Sequence, residues 1–246
     1  LKTARIFRKI RLAYALQYRL HAEGSTVYRV RSGRGWATDF TWPDTLEAIT
    51  QQALDRVLAS IVSDLRNNVA GKTIYIPPTV HYALPATEKQ FTGHLPTGSY
   101  VTVPQDMVVG IHWTNTDKRV DLDLSVIDES GKIGWDAAYR SEDKRILFSG
   151  DVTDAPPPNG ASELFYLKRG GQPKIMMVNY YNFLKGDEVT AKILVAYEKP
   201  ENFGANYMVD VNNVIASATI PITRKQNVLG LIANVHGENR FCFANV

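Results

Sequence analysis

Asp121 and Asp123 stand two residues apart in the run Val120-Asp121-Leu122-Asp123-Leu124-Ser125. Alternate residues of an extended strand point to the same side, so Asp121, Asp123 and Ser125 share one face and Leu122 and Leu124 the other. The apolar face should look into a core. Two carboxylates this close on one face repel each other unless solvent or a cation relieves them, and solvation is the ordinary state of a half-exposed strand. The next segments add oxygen donors: Ser149, Asp151, Thr153 and Asp154, then Asn159, Ser162 and Glu163. Carboxylates, an amide, hydroxyls and carbonyls beside Gly150 and Gly160 suit Ca²⁺, which takes about six to eight oxygen ligands in irregular geometry, better than Mg²⁺. The chain has no Asp-x-Asp-x-Asp-Gly helical loop, so the pattern is not that of an EF-hand.

The elements that must position these groups are short and β-rich. From Gly98 onward, runs of strand-forming residues alternate with turn residues: Tyr100–Val103, Met107–Asn115, Val120–Ile127, Arg145–Ser149, Glu163–Leu167, Lys174–Tyr181, Thr190–Tyr197, Val214–Ile222, Val228–Val235 and Arg240–Ala244. About ten such strands without a convincing amphipathic helix predict a sandwich or barrel. The Ala155-Pro156-Pro157-Pro158-Asn159-Gly160 segment cannot join a ladder and reads as a rigid surface loop. Residues before this region differ. Ile6, Ile10, Ala13, Leu16 and Leu20 recur at helical spacing. A hairpin follows over Thr26–Phe40 with a turn at Ser32-Gly33-Arg34-Gly35. A second helix starts near Pro43 and Asp44, buries Leu46, Ile49, Ala53, Val57, Ile61 and Leu65, and stops at Gly71. The expected class is α+β: a small helix–hairpin–helix unit in residues 1–95, then an all-β sandwich in 96–246.

Three segments in their order, Val120–Ser125 with the turn Asp128-Glu129-Ser130-Gly131, Phe148-Ser149-Gly150-Asp151, and Glu163, resemble the signature segments of the TerD tellurium-resistance and stress-response family over roughly residues 107–200. The longer stretch that includes Ala83–Phe91 and Asn159–Glu163 is similar to a TerD-related branch found in larger bacterial multidomain proteins. The resemblance implies a β-sandwich whose acidic residues bind calcium. By residue match it assigns the metal to Asp121, Asp123, Asp151 and Glu163, with Asn115, Asp154 and Asn159 as additions. This chain departs from the family where a glycine-tryptophan-aspartate segment and an acidic run are usual; it has Gly110-Ile111-His112-Trp113-Thr114-Asn115 and Asp154-Ala155-Pro156-Pro157-Pro158-Asn159-Gly160 instead. Fewer carboxylates imply weaker binding, one site in place of two, or an adaptor that has lost the metal.

Enzyme signatures are sparse. His21, His81, His94, His112 and His236 are scattered, and the sequence contains neither a Gly-x-Ser-x-Gly elbow nor a His-Glu-x-x-His pair. The alternative function is an enzyme that uses the same carboxylates to hold a metal at a phosphorylated substrate, which requires a concave pocket beside them. The preferred expectation is a non-catalytic, calcium-binding interaction module whose partners are proteins, including other domains of a longer bacterial chain.

Composition bounds these readings. The chain of 246 residues is 44% hydrophobic and 22% charged, ordinary for a globular protein. Its single cysteine, Cys242, cannot form an intrachain disulfide, fits a reducing compartment such as the cytoplasm, and reads as a small buried apolar residue. No apolar run approaches the roughly 18 residues a spanning helix needs. Leu1 opens the sequence without a methionine, as in a piece of a longer polypeptide. Thirteen Lys and Arg face seven Asp and Glu before residue 96, a balance of +6, against fifteen and eighteen after it, −3. The basic first part carries no nucleic-acid-binding motif, and nucleic acid is not an expected partner.

Overall fold

A computed structural model describes residues 1–21, 25–31, 34–85, 87, 90–199 and 209–244, with 25–31 and 34–40 described as backbone. Two compact units emerge, one of Leu1–Tyr75 with Pro85–Glu88, the other of Ile76–Leu84 with Lys89–Val246.

In the first unit, α1 (Ile6–His21) packs on α2 (Glu47–Val69), and β1 (Ser25–Arg31) pairs antiparallel with β2 (Arg34–Phe40). The Ser32-Gly33 part of the expected turn lies outside the described residues. Ala13, Leu16 and Leu20 meet Leu54, Val57 and Ile61 between the helices, and the buried Lys9 ammonium reaches Asp64 at 2.6 Å. The expected buried stripe of α2 is corrected: Ile49 is 65% exposed and Leu65 41%, whereas Thr50 and Leu54 are buried. The face turns because Thr50 is anchored, its hydroxyl donating to the Leu46 carbonyl and accepting from the Trp42 indole.

The second unit holds β3 (Val80–His81), β4 (Phe91–Thr92), β5 (Leu95–Pro96), β6 (Tyr100–Val103), β7 (Asp106–Trp113), β8 (Leu122–Asp128), β9 (Gly131–Gly134), β10 (Ile146–Phe148), β11 (Ala161–Leu167), β12 (Lys174–Tyr180), β13 (Val189–Glu198), β14 (Val214–Ile222), β15 (Gln226–Val235) and β16 (Glu238–Phe243). A five-stranded sheet runs β10-β11-β7-β13-β14 and a seven-stranded sheet β3-β6-β16-β15-β12-β8-β9, while β4 and β5 pair separately. The two larger sheets bury one core between them, with Val109, Ile111, Phe165 and Ile193 from the first and Leu122, Leu124, Val178 and Phe241 from the second. Side chains buried to this extent contribute about 1.5–3 kcal/mol each, which makes this layer the main source of stability. The architecture is thus α+β, with a helix pair before a β-sandwich. Cys242 is half-exposed, because β16 alternates and turns Phe241 and Phe243 inward instead. No described helix is long and apolar enough to cross a membrane.

Candidate metal centre

Strand β8 carries the site at its first end. Leu122, Leu124 and Val126 enter the core as the alternation requires, but the other face is not solvated: Asp121 is 3% exposed, Asp123 2% and Ser125 4%. Of the two ways to relieve these carboxylates, solvent is therefore largely withheld from Asp121 and Asp123. At this end β12 flanks β8 on one side, and on the other, where β9 no longer pairs, Glu163 ties the loop after β10 to it.

Backbone hydrogen bonds fix the approach to β8. The Tyr181 amide donates to the Asp121 carbonyl at 3.0 Å, Asn182 Oδ1 accepts from the Asp121 amide at 3.2 Å, and Asn182 Nδ2 donates to the Arg119 carbonyl at 2.9 Å. Across the ladder Asn179 lies opposite Asp123 and its Nδ2 donates to Asp123 Oδ2 at 3.0 Å. Arg119, 58% exposed at its side chain, donates to Asp121 Oδ2 at 3.2 Å. Asp121 Oδ1 is buried and has no partner in the structure.

Asp151 reaches the same place from the loop after β10. One carboxylate oxygen from each of Asp121, Asp123 and Asp151 lies within 4.8 Å of the others. Glu163 does not join them directly. It points from β11 into the space between the sheets and is 0% exposed. Its Oε2 accepts from the Leu124 amide at 2.7 Å and its Oε1 from the Val152 amide at 2.9 Å. The pairing of β9 with β8 stops at Ser125, so the Leu124 amide beyond that point takes a side chain as its acceptor. Glu163 thereby ties the loop that carries Asp151 to the strand that carries Asp123.

Asn115 and Asp154 brace the loops. Asn115 Oδ1 accepts from the amides of Val120 at 2.9 Å and Ala155 at 3.2 Å, and its Nδ2 donates to Asp154 Oδ1 at 2.7 Å. Asn159 is exposed on the proline-rich loop. Of the seven residues named from the sequence, the structure brings three together, gives three others bracing bonds, and leaves Asn159 at the rim. Arg119, Asn179 and Asp136 escaped the sequence reading. Arg119 had a local signal, two positions before Asp121 on the same extended segment; the other two depend on ladder register and loop path.

The electrostatics are those of crowded buried acids. Burial pushes Asp123 up to about 7 against the pull of the Asn179 amide, with the charges of Asp121, Asp151 and Asp136 adding to the rise. Burial likewise pushes Glu163 up to about 8, although two backbone amides oppose it. Asp121 is raised by burial, while the Arg119 guanidinium pulls it down and the charge of Asp151 adds to the rise. A divalent cation among these carboxylates would offset both the cost of their burial and their mutual repulsion. Oxygen-only donors, three convergent carboxylates and an orphaned buried carboxylate oxygen fit a hard divalent ion.

No known relative resolves the question. The chain matches no family model, no curated protein and no solved structure. The site is read from its own geometry.

Proposed function

We propose that the sandwich unit is a non-catalytic calcium-binding module of the TerD type, serving protein interactions within a bacterial stress-response system. The observation that supports it is Asp121 Oδ1, a buried oxygen without a partner on one of the three carboxylates that come together here. Leaving such an oxygen unpaired costs about 1–3 kcal/mol or more when charged, a cost that a bound cation removes. Calcium is preferred over magnesium because its larger shell is completed by loop carbonyls and water without octahedral demands. The absence of signature catalytic motifs in the sequence weighs toward binding, as does the position of a cavity of about 540 Å³, which opens at the far end of β8 and not beside these carboxylates.

Thermal unfolding tests the proposal. Saturating Ca²⁺ should raise the melting temperature by at least about 5 °C, the linkage expected near a hundredfold excess over Kd. Mg²⁺ should do less, and Asp123→Asn should abolish the gain. Equal melting temperatures with EDTA and with millimolar Ca²⁺ would remove the calcium reading.

A further inference from the structure

The opposite end of the sandwich from the acidic cluster carries a second site of opposite character. Strand β8 begins beside Asp121 and ends at Asp128, about 20 Å away at the rise of an extended chain. There the β8–β9 turn, the segment before β10, the β11–β12 loop and the β15–β16 hairpin surround a cavity of about 540 Å³. That volume falls in the range of small-molecule sites, about 300–1,000 Å³.

Its lining is cationic. Lys132, Arg140, Arg145, Lys168 and Lys174 face it, against Asp128, Glu142 and Asp143. Two of the acids are occupied by their own loops. Asp128 accepts from the Ser130 amide at 2.9 Å and pairs with Lys174 at 3.1 Å. Asp143 accepts from the Ser141 hydroxyl at 2.6 Å and the Arg145 amide at 3.0 Å. Lys132 pairs with Asp136. Neither Arg140 nor Arg145 forms an ion pair with a carboxylate among the described residues, and the Arg145 guanidinium instead donates to the Arg169 carbonyl. Two guanidinium groups that line one cavity without an ion-paired carboxylate suit an oxyanion, which accepts N–H bonds from both.

The loop over this wall runs close against the cation heads. Gly170 and Gly171 have φ of 85° and 103°, in the region that favours glycine. A Cβ at Gly170 would lie 3.1 Å from Arg145 Nη2, and one at Gly171 3.6 Å from Lys174 Nζ. Asn234 adds a donor: it lines the cavity, and its buried Nδ2 has no acceptor in the structure. Ile133, Ile146, Leu167 and Ile232 supply an apolar floor, and no aromatic side chain lines the cavity among the described residues. Without a ring to stack on, a nucleobase gains little here.

We propose that this cavity binds a small non-aromatic molecule bearing an oxyanion group, phosphate or carboxylate, held by Arg140 and Arg145 with Asn234 donating to the same group or its neighbour. The site is separate from the metal centre and stands or falls independently of it.

Calorimetric titration in EDTA and low salt tests it with three probes: glucose 6-phosphate, citrate and glucose. One or both anions should bind saturably and glucose should not, with the stronger anion deciding between phosphate and carboxylate. Arg140→Gln, at an exposed position that leaves folding intact by melting temperature, should weaken binding by about tenfold or more, as should Arg145→Gln. Added salt should weaken it further. The proposal is overturned by the absence of heat from both anions at millimolar concentration, or by anion binding that Arg140→Gln and Arg145→Gln leave unchanged.

Discussion

Asp123 and Glu163 carry the most consequential chemistry at the scale of single residues, because both are raised by burial to about 7 and about 8. In an unfolded chain such groups ionise near 4, so between those limits the folded protein holds the additional protons. Their contribution to stability is full below about 4 and is lost as pH rises through about 8. Protein in EDTA should therefore melt higher at pH 5.5 than at pH 8. Cation binding has the opposite sign, since a proton must leave first, so the gain from calcium should be larger at pH 8; differential scanning fluorimetry across the range checks both slopes. Glu163 is also a structural acceptor. Glu163→Ala strands the amides of Leu124 and Val152 and should cost about 2–4 kcal/mol in urea denaturation. Glu163→Gln, which keeps an acceptor oxygen, should cost less.

Among the elements, β7 and β11 hold the site in register, and their contact is close because Gly110 faces Leu164 across the ladder. A Cβ at Gly110 would lie 2.1 Å from the Glu163 carbonyl oxygen and 2.7 Å from Leu164 Cδ2. Gly110→Ala should destabilise the protein by at least about 2 kcal/mol and displace Glu163 with its strand, which equilibrium unfolding together with calcium titration of the variant would show. The strands themselves were legible. Runs of strand-forming residues from Tyr100 to Ala244 predict ten strands that all occur, since residue type and turn residues are local signals. The two-residue strands β3, β4 and β5 and the short β9 were not, because two to four residues are too few to show a pattern of their own. The α2 face was misread for a related reason: Thr50, polar by type, is buried through its bonds to Leu46 and Trp42.

At the scale of the whole molecule, the change from helical to strand periodicity announced a helix pair followed by a sandwich, and the sandwich unit presents acids at one end of β8 and cations at the other. The acidic end was visible in the spacing of Asp121 and Asp123, but its burial was not, because a sequence does not show which loops close over the first end of β8. Asp151 joined it through a loop path that only the fold supplies. The cationic end left no signal at all: Arg140 and Arg145 belong to a turn-rich stretch, and Gly170, Gly171 and Asn234 reach them from other parts of the chain. The central claim is the metal. A crystal structure determined from crystals grown with millimolar calcium should show a strong density peak bonded at about 2.3–2.6 Å to oxygens of Asp121, Asp123 and Asp151, with Asp121 Oδ1 among them. Density for water alone at that point would contradict it.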